Sequence, residues 1–251
     1  MTTILFHGEP NGPSLTVLAA LFEKSVPAQL ARIDLAAGER HSLPCARQSE
    51  VAMSIEGEGP VLVVDGEGMT DSVFIACYLD DIGPGPALRP TDPYRRWEVM
   101  AWCRQIIERT APAAAYLGCW AHPPHAGPAQ LAGVQSADLR ARWDEIVAGR
   151  FEEPRLGDSR VKILQSVDRI ETRLEGREWL MGEFSIADLE SYAWLAGMTE
   201  VVPAAFSGKP KTAAWLARVR ARPAVARALG LATVANPANC WAPGPEINRW
   251  G

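Results

Sequence analysis

The amino-acid sequence predicts a small α/β domain followed by an all-helical domain. Short apolar runs separated by turn residues dominate the chain up to residue 82, which is typical of strands and a helix joined by turns. Gly83-Pro-Gly-Pro86 is the clearest linker, and beyond it apolar residues recur at helical spacing. We therefore expect an α/β domain over residues 1–83, a linker over 84–92, helices over 93–230 and an extended tail over 231–251.

The start of the chain predicts a strand–helix–strand unit. Thr3–Phe6 is a short apolar run, and after a turn that contains Gly and Pro, Pro13-Ser14 opens a helix whose leucines follow helical spacing. Apolar residues then indicate a second strand around residues 28–34. Residues 36–57 are interpreted as an irregular connection with at most a short helix.

A β-hairpin and a helix follow this connection. Pro60 cannot donate a ladder hydrogen bond, so it is interpreted as the first residue of an edge-side strand or as part of a cis turn. Val61–Val64 form a strand, Asp65-Gly66 has the residue types of a type I′ turn, and Glu67–Thr70 pair back. Asp71-Ser72 then opens the next helix.

Helix boundaries can be read in the second half of the chain. Asp92 is a helix cap and Pro93 stands at the first helical position, so a long helix should run to about Tyr116. Ser185 and Asp188 have the spacing of a capping box, which indicates a structural role for both. Further helices are predicted around Ile163–Leu174, from about Lys211 to Ala221, and after Pro223.

The composition disfavours two classes of partner. The 25 basic residues are dispersed and the net charge is −5, which argues against nucleic acid and against an anionic membrane surface. No apolar run approaches the roughly 18 residues that span a bilayer, and the N-terminus lacks a basic region. The five cysteines have no CxxC or metal-ligand spacing, which favours reduced thiols in a cytoplasmic protein.

His122 and His125 are close in sequence and raise the question of a metal site. The two prolines between them break helical geometry, and no third ligand is apparent. We therefore expect no metal.

The residues around Asp71-Ser72 predict a socket for a ligand that resembles an amino acid. Asp71 supplies a carboxylate for an ammonium group, and Ser72 supplies a hydroxyl beside the first N–H groups of a helix, which suit a carboxylate. The backbone of Gly59, next to Pro60, would pair with the ligand.

The combination of these elements resembles the glutathione S-transferase superfamily over about residues 3–230. The resemblance rests on the Pro that starts the third strand, the acid–Ser pair and the Ser-x-x-Asp box. Within the superfamily, the chain is most similar to the bacterial β-etherases, which cleave β-aryl ethers of lignin. The segments that carry this narrower resemblance are Ser14–Lys24, Glu39–Ser42, Leu88–Arg96 and Tyr116–His122.

The resemblance implies a thioredoxin-like fold for the first domain and glutathione as co-substrate. The residues expected to bind glutathione are His41, towards its glycine carboxylate, and Gly59, Pro60, Asp71 and Ser72. The thiolate would be stabilised by Ser14, which is favoured, or by Asn11, although a helix cap or a turn residue is an alternative for each.

An aromatic substrate would lie above the thiolate, in a pocket lined by Tyr116, Trp120 and His122. A position in the protein core is an equal alternative for these aromatic residues.

The resemblance implies a transferase whose thiolate expels a phenol from a β-aryl ether and leaves a glutathione thioether. Gly59 and Asp71 stand where the family usually carries Val and Glu. This departure keeps a second function open, that of a partner subunit in a heterodimer with weak or no activity alone. A dimer, either homodimer or heterodimer, is expected in both cases, with Met69 and Trp97 as apolar contacts.

Overall fold

The computed structural model describes residues 2–35, 38–45, 59–123, 132 and 137–239. Its N-terminal domain is built on a sheet whose strands follow the order β2-β1-β3-β4. The strands are β1 (Thr3–His7), β2 (Gln29–Arg32), β3 (Val61–Val64) and β4 (Glu67–Met69). β1 pairs with β2 in parallel and with β3 antiparallel, and β3 pairs with β4 antiparallel. The predicted thioredoxin-like fold is confirmed.

The hairpin between β3 and β4 closes at the predicted turn. Asp65 and Gly66 both have positive φ, 49° and 91°. A type I′ turn needs positive φ at both central residues, and Asp-Gly is among the pairs that adopt it at low cost. The hairpin prediction is therefore confirmed.

The other regular elements of the described chain are mostly α-helices. They are α1 (Gly12–Glu23), α2 (Ser72–Ile82), α3 (Pro93–Gln105), α4 (Ala111–Ala121), α5 (Ala137–Val147), α6 (Glu153–Arg173), α7 (Ile186–Leu195), α8 (Met198–Val201), α9 (Pro203–Phe206), α10 (Pro210–Arg220) and α11 (Pro223–Leu229). Short 3-10 turns occur at Glu39–Ser42 and Pro237–Asn239. Within these ranges no helix has the length and apolar character needed to cross a membrane.

The predicted caps fix the starts of two helices. Asp92 accepts the Arg95 N–H at 2.9 Å, with Pro93 in the first turn of α3. Ser185 and Asp188 form both hydrogen bonds of a capping box at the start of α7. The long helix predicted from Pro93 continues to Ala121, but a π-helical turn at residues 106–110 divides it into α3 and α4.

The two domains share one hydrophobic core, with α1 at their junction. α1 contacts α2 of its own domain and both α7 and α11 of the helical domain. The linker also packs on α1, because Lys24 Nζ donates to the carbonyls of Gly85 and Pro86 at 2.7 and 3.0 Å. A Cβ on Gly85 would lie 2.1 Å from the Glu23 carbonyl oxygen, so only glycine allows this close approach.

Two local expectations are wrong. Pro60 starts neither an edge strand nor a cis turn, because β3 lies between β1 and β4 in the sheet and none of the described peptide bonds is cis. Trans is the lower-energy form of an X–Pro bond. In the tail, Pro237–Asn239 form a 3-10 turn instead of extended chain. Most of the connection predicted over residues 36–57 lies outside the described residues, and the domain bounds stay predictions.

Candidate functional site

The strand register brings three segments to one end of the sheet. Val61 lies opposite Phe6, and Met69 lies opposite Leu62. The turn after β1, the Gly59-Pro60 step before β3 and the Asp71-Ser72 pair after β4 must therefore approach one another. This end of the sheet is the candidate site, and it unites most of the residues that the sequence singled out.

The turn between β1 and α1 carries the two predicted thiolate donors. Asn11 is the N-cap of α1, and its Oδ1 accepts the Gly12 N–H at 3.0 Å. Because Oδ1 is the acceptor in this hydrogen bond, the other polar atom of the Asn11 side chain is Nδ2, whose NH₂ group is a hydrogen-bond donor. Ser14 lies in the first turn of α1, and its Oγ accepts the Gly8 N–H at 3.1 Å. The two residues differ in exposure, since Ser14 is only 2% exposed and Asn11 is half-buried.

The start of α2 carries the predicted acid–hydroxyl pair. Asp71 is the N-cap residue with φ 66° and ψ 115°, a conformation that costs an aspartate on the order of 1–3 kcal/mol. Its side chain makes no capping hydrogen bond to the helix. Ser72 is fully buried at the first position of α2. Gly59 and Pro60 are buried as well.

A buried carboxylate that the sequence analysis missed lies directly behind Ser72. Glu190 on α7 is 0% exposed, and its Oε2 accepts the hydroxyls of Thr16 at 2.8 Å and Ser72 at 3.2 Å. Its Oε1 accepts Trp194 Nε1 at 2.8 Å. The carboxylate therefore joins α1, α2 and α7 beneath the candidate site. Burial raises its pKa above the ordinary value, against the opposing effect of these hydrogen bonds.

A cleft opens beside Asn11 between the two domains. Its volume is about 560 Å³. The β1–α1 turn, the end of α7 and the C-terminal segment (residues 232–238) contribute its walls, including Pro10, Asn11, Tyr192, Gly197, Val234 and Pro237. The C-terminal segment is held to the turn because Glu9 accepts both the backbone N–H and the hydroxyl of Thr233.

The face of α4 that approaches Asn11 consists of small residues. Asn11 adjoins a narrow cavity of about 20 Å³, to which α4 contributes Ala114, Ala115, Gly118 and Cys119. A Cβ on Gly118 would meet no atom within 4 Å, so this helix leaves open space there. The sequence contained the signal, since these small residues recur at helical spacing.

Two predicted pocket residues make their described contacts away from the cleft. Tyr116 packs on Phe151 with ring centroids 5.4 Å apart, and its hydroxyl accepts the Glu152 N–H at 3.2 Å. Trp120 lies beneath the Arg160 guanidinium, 5.3 Å from the ring centroid. Residues four apart share one face of a helix, and this face of α4 meets α6 and the residues before it instead of the cleft.

The structure assigns no role to either of the two histidines predicted in the site. His122 follows α4 as its half-buried C-cap residue, with no role assigned by its contacts. The backbone of His41 lies in the Glu39–Ser42 turn, and its side chain is outside the described residues. Both assignments therefore stay predictions.

Three of the four described cysteines do not provide a reactive thiolate. Burial raises the pKa of Cys119 to about 12 and the pKa of Cys103 well above its ordinary value. Burial also raises the pKa of Cys77. Thiols of this kind remain protonated at neutral pH. In the described chain no three His, Cys, Asp or Glu side chains are grouped as a metal would need.

The chain is similar to known proteins both in sequence and in structure. The sequence is 29% identical over 245 residues to the protein LigF of Sphingobium sp. strain SYK-6, covering 90% of this chain and 92% of that protein. The structure matches the crystal structure of the β-etherase LigF with a TM-score of 0.78 and 26% identity, over 92% of this chain and 99% of that one. Residues 133–223 match the description "Glutathione S-transferase, C-terminal domain".

The chain is similar to glutathione S-transferases along most of its length. Another relative is glutathione S-transferase U9 of Arabidopsis thaliana, 35% identical over 105 residues, which is 41% of each chain. The fold is shared with a glutathione transferase from Burkholderia graminis, crystallised with two glutathione molecules per subunit. That match has a TM-score of 0.67 at 23% identity and covers 92% of this chain and 88% of the other chain.

Proposed function

We propose that this protein is a glutathione-dependent transferase that cleaves β-aryl ethers. The observation that carries the proposal is the meeting of Asp71-Ser72, at the N-terminus of α2, with the Asn11 cleft at one end of the sheet. The likeness to LigF over most of both chains supports the choice of substrate.

The γ-glutamyl end of glutathione is proposed to bind at the start of α2. Asp71 attracts its ammonium group, and the Ser72 hydroxyl and the helix N–H groups attract its carboxylate. The backbone of Gly59, before Pro60, pairs with the cysteinyl unit, and His41 lies towards the glycine carboxylate. Gly59 has both an N–H and a C=O to offer the cysteinyl unit, and the trans bond before Pro60 removes neither group.

The thiolate of glutathione is proposed to lie at the β1–α1 turn. A thiol with a pKa of about 8.5 is mostly protonated at neutral pH, and donors at a helix N-terminus favour its ionised form. Asn11 is the stronger candidate because its side chain lines the cleft. Ser14, which is only 2% exposed, is the second candidate donor to the thiolate.

The reaction begins when the thiol proton leaves for solvent. The thiolate sulfur then attacks the carbon that bears the aryloxy group, next to an activating carbonyl. The carbon–oxygen bond breaks as the carbon–sulfur bond forms, and the phenolate takes a proton from water. A phenol with a pKa of about 10 leaves without a strong acid, so orientation and thiolate stabilisation are the main requirements.

The aromatic substrate is proposed to occupy the cleft, against the C-terminal segment, and to extend past Asn11 towards the small residues of α4. Ala115 and Gly118 replace Tyr116 and Trp120 as the pocket residues of α4. His122 remains a candidate at the end of the helix. Cys77, Cys103 and Cys119 are not joined in disulfides, and this together with the need for reduced glutathione favours the cytoplasm as the location.

The test is an assay of aryl-ether cleavage. An ether with a carbonyl beside the reacting carbon and a fluorescent phenol as leaving group should release phenol and glutathione thioether in equal amounts, only when glutathione is present. The same ether without the carbonyl is the matched control. Thioether formation with chlorodinitrobenzene but no phenol from the ether would leave a transferase of another specificity.

A dimer is proposed from the exposed apolar residues around α2 and α3. Phe74, Tyr94 and Trp97 are each more than half exposed, and Tyr94 and Trp97 stack with ring centroids 5.4 Å apart. Met69 is half-buried and packs on the core, so it is a weaker contact than Trp97. A heterodimer with a related chain is the alternative, and activity that appears only after mixing with such a chain would favour it.

A further inference from the structure

Glu190 is a buried acid with no cationic partner. No ion pair joins it in the described part of the chain, and its carboxylate is held only by Thr16, Ser72 and Trp194. An isolated buried carboxylate is costly, so its charge is sensitive to any change among its hydrogen-bond partners.

The three partners of Glu190 are not equivalent. Trp194 Nε1 can only donate, so it always holds Oε1. The hydroxyls of Thr16 and Ser72 can donate or accept, and both meet Oε2. When Glu190 is ionised, it accepts from both hydroxyls. When Glu190 is neutral, its own proton can be donated from Oε2 to Ser72.

The direction of the Ser72 hydroxyl decides what this residue offers to a ligand. With its proton turned to an ionised Glu190, Ser72 presents only lone pairs, which repel a carboxylate. With Glu190 neutral and donating, the proton of Ser72 becomes available to the ligand. A carboxylate bound to Ser72 would also lie within about 6 Å of Glu190, since each hydrogen bond spans about 3 Å. Two negative charges at this separation in a dry interior repel strongly.

We propose that Glu190 is a positioning residue that takes up a proton when a carboxylate binds at Ser72. The proton comes from solvent and stays on Oε2, where it orients the Ser72 hydroxyl towards the ligand. The inference rests on the proposed function, in which the carboxylate is that of the γ-glutamyl group. It assigns to the helical domain a role in binding at the thioredoxin-like domain.

The other titratable groups near Glu190 do not explain such an uptake. On α3 the Cys103 thiol faces Glu190 and stays neutral, because burial and the carboxylate both raise its pKa. On α7 itself, Asp188 is occupied by Leu180, Ser185 and Trp215. From α1 and α2 the groups that meet Glu190 are the hydroxyls of Thr16 and Ser72.

The test is calorimetry with S-methylglutathione, whose thioether cannot ionise. Binding is measured at several values between pH 5 and pH 8, in pairs of buffers with different ionisation enthalpies. We expect proton uptake on binding, with Kd rising by up to tenfold per pH unit in the window between the pKa of free and bound Glu190. In Glu190→Gln, whose amide NH₂ can donate to Ser72 at every pH, uptake should vanish and Kd should be nearly constant.

Thr16→Val is the second variant, and it keeps the inference testable if the Gln variant fails to fold. Valine has the shape of threonine without the hydroxyl, so ionised Glu190 loses one donor and the window should move to higher pH. Binding without proton uptake anywhere in this range, or a window unchanged in Thr16→Val, would overturn the inference and leave the proposed function intact. No binding of S-methylglutathione at any pH would instead overturn the proposed function.

Discussion

The backbone N–H of Gly8 donates to Ser14 Oγ across the turn between β1 and α1, at 3.1 Å. This contact uses a lone pair of the hydroxyl and leaves its proton to donate. It also holds Ser14 in place at 2% exposure, whereas Asn11 caps α1 and lines the cleft. The turn therefore carries two donors that differ in exposure.

Replacing Asn11 by Asp should separate thiolate stabilisation from helix capping. Aspartate keeps an oxygen for the Gly12 N–H, but it removes the amide donor and adds a negative charge. We expect kcat to fall on the order of 10²-fold and the apparent thiol pKa in the pH–rate profile to rise.

Ser14→Ala is the companion variant, for which we expect a smaller loss of rate. Circular dichroism should show that both variants retain their helices. If Asn11→Asp and Ser14→Ala both kept the parent rate and thiol pKa, neither residue would stabilise the thiolate.

Filling the narrow cavity at Gly118 should weaken binding of the aromatic substrate without affecting glutathione. Gly118→Leu places a side chain in the open space beside α4. We expect KM for the aryl ether to rise about tenfold, which corresponds to about 1.4 kcal/mol, while Kd for S-methylglutathione is unchanged. Tyr116→Phe is the control, and its KM should match the parent because Tyr116 faces Phe151. A raised KM in Tyr116→Phe together with an unchanged KM in Gly118→Leu would instead place Tyr116 in the pocket.

Asp188 should make the free energy of unfolding depend on pH. Burial raises its pKa from 3.8 to about 6, despite hydrogen bonds from Leu180, Ser185 and Trp215. Between these values the folded state binds more protons than the unfolded state, so stability falls as pH rises. The contribution of Asp188 at pH 4 should exceed that at pH 7 by about 2 kcal/mol.

Urea unfolding of the parent and Asp188→Asn at both pH values isolates this contribution. The destabilisation caused by the substitution should be larger at pH 4 than at pH 7. An equal or opposite change would mean that the folded state does not hold the carboxyl in its protonated form.

Trp97→Ser and Phe74→Ser should weaken the dimer. Both side chains are largely exposed in the single chain, so their loss costs little folding stability. Light scattering at micromolar concentration should show a dimer for the parent and a shift to monomer for the double variant. Val161→Ser, an exposed apolar residue on α6, is the control. A parent that is monomeric would contradict the proposal.

Local signals predicted much of the fold, because turns and caps depend on neighbours in sequence. Asp65-Gly66 and the Ser185/Asp188 box are examples, since a few adjacent residues determine each geometry. Glu190 could not be found in this way, because its partners Thr16 and Ser72 are distant in sequence and meet it only through packing.

The face of α4 that approaches Asn11 could not be predicted, for a different reason. Tyr116 and Trp120 share one face of α4, but the sequence does not show which face meets the cleft. Only the packing of α4 on α6 shows that this face is covered. The trans bond before Pro60 likewise depends on how the preceding segment enters the sheet.

The central claim is that the γ-glutamyl group of glutathione binds at the start of α2. A crystal structure with bound glutathione tests it most directly. We expect the ammonium against Asp71, the carboxylate within hydrogen-bond distance of Ser72 Oγ, and the sulfur on the cleft side of Asn11. Glutathione bound elsewhere, or with its γ-glutamyl group turned away from Asp71 and Ser72, would contradict the account.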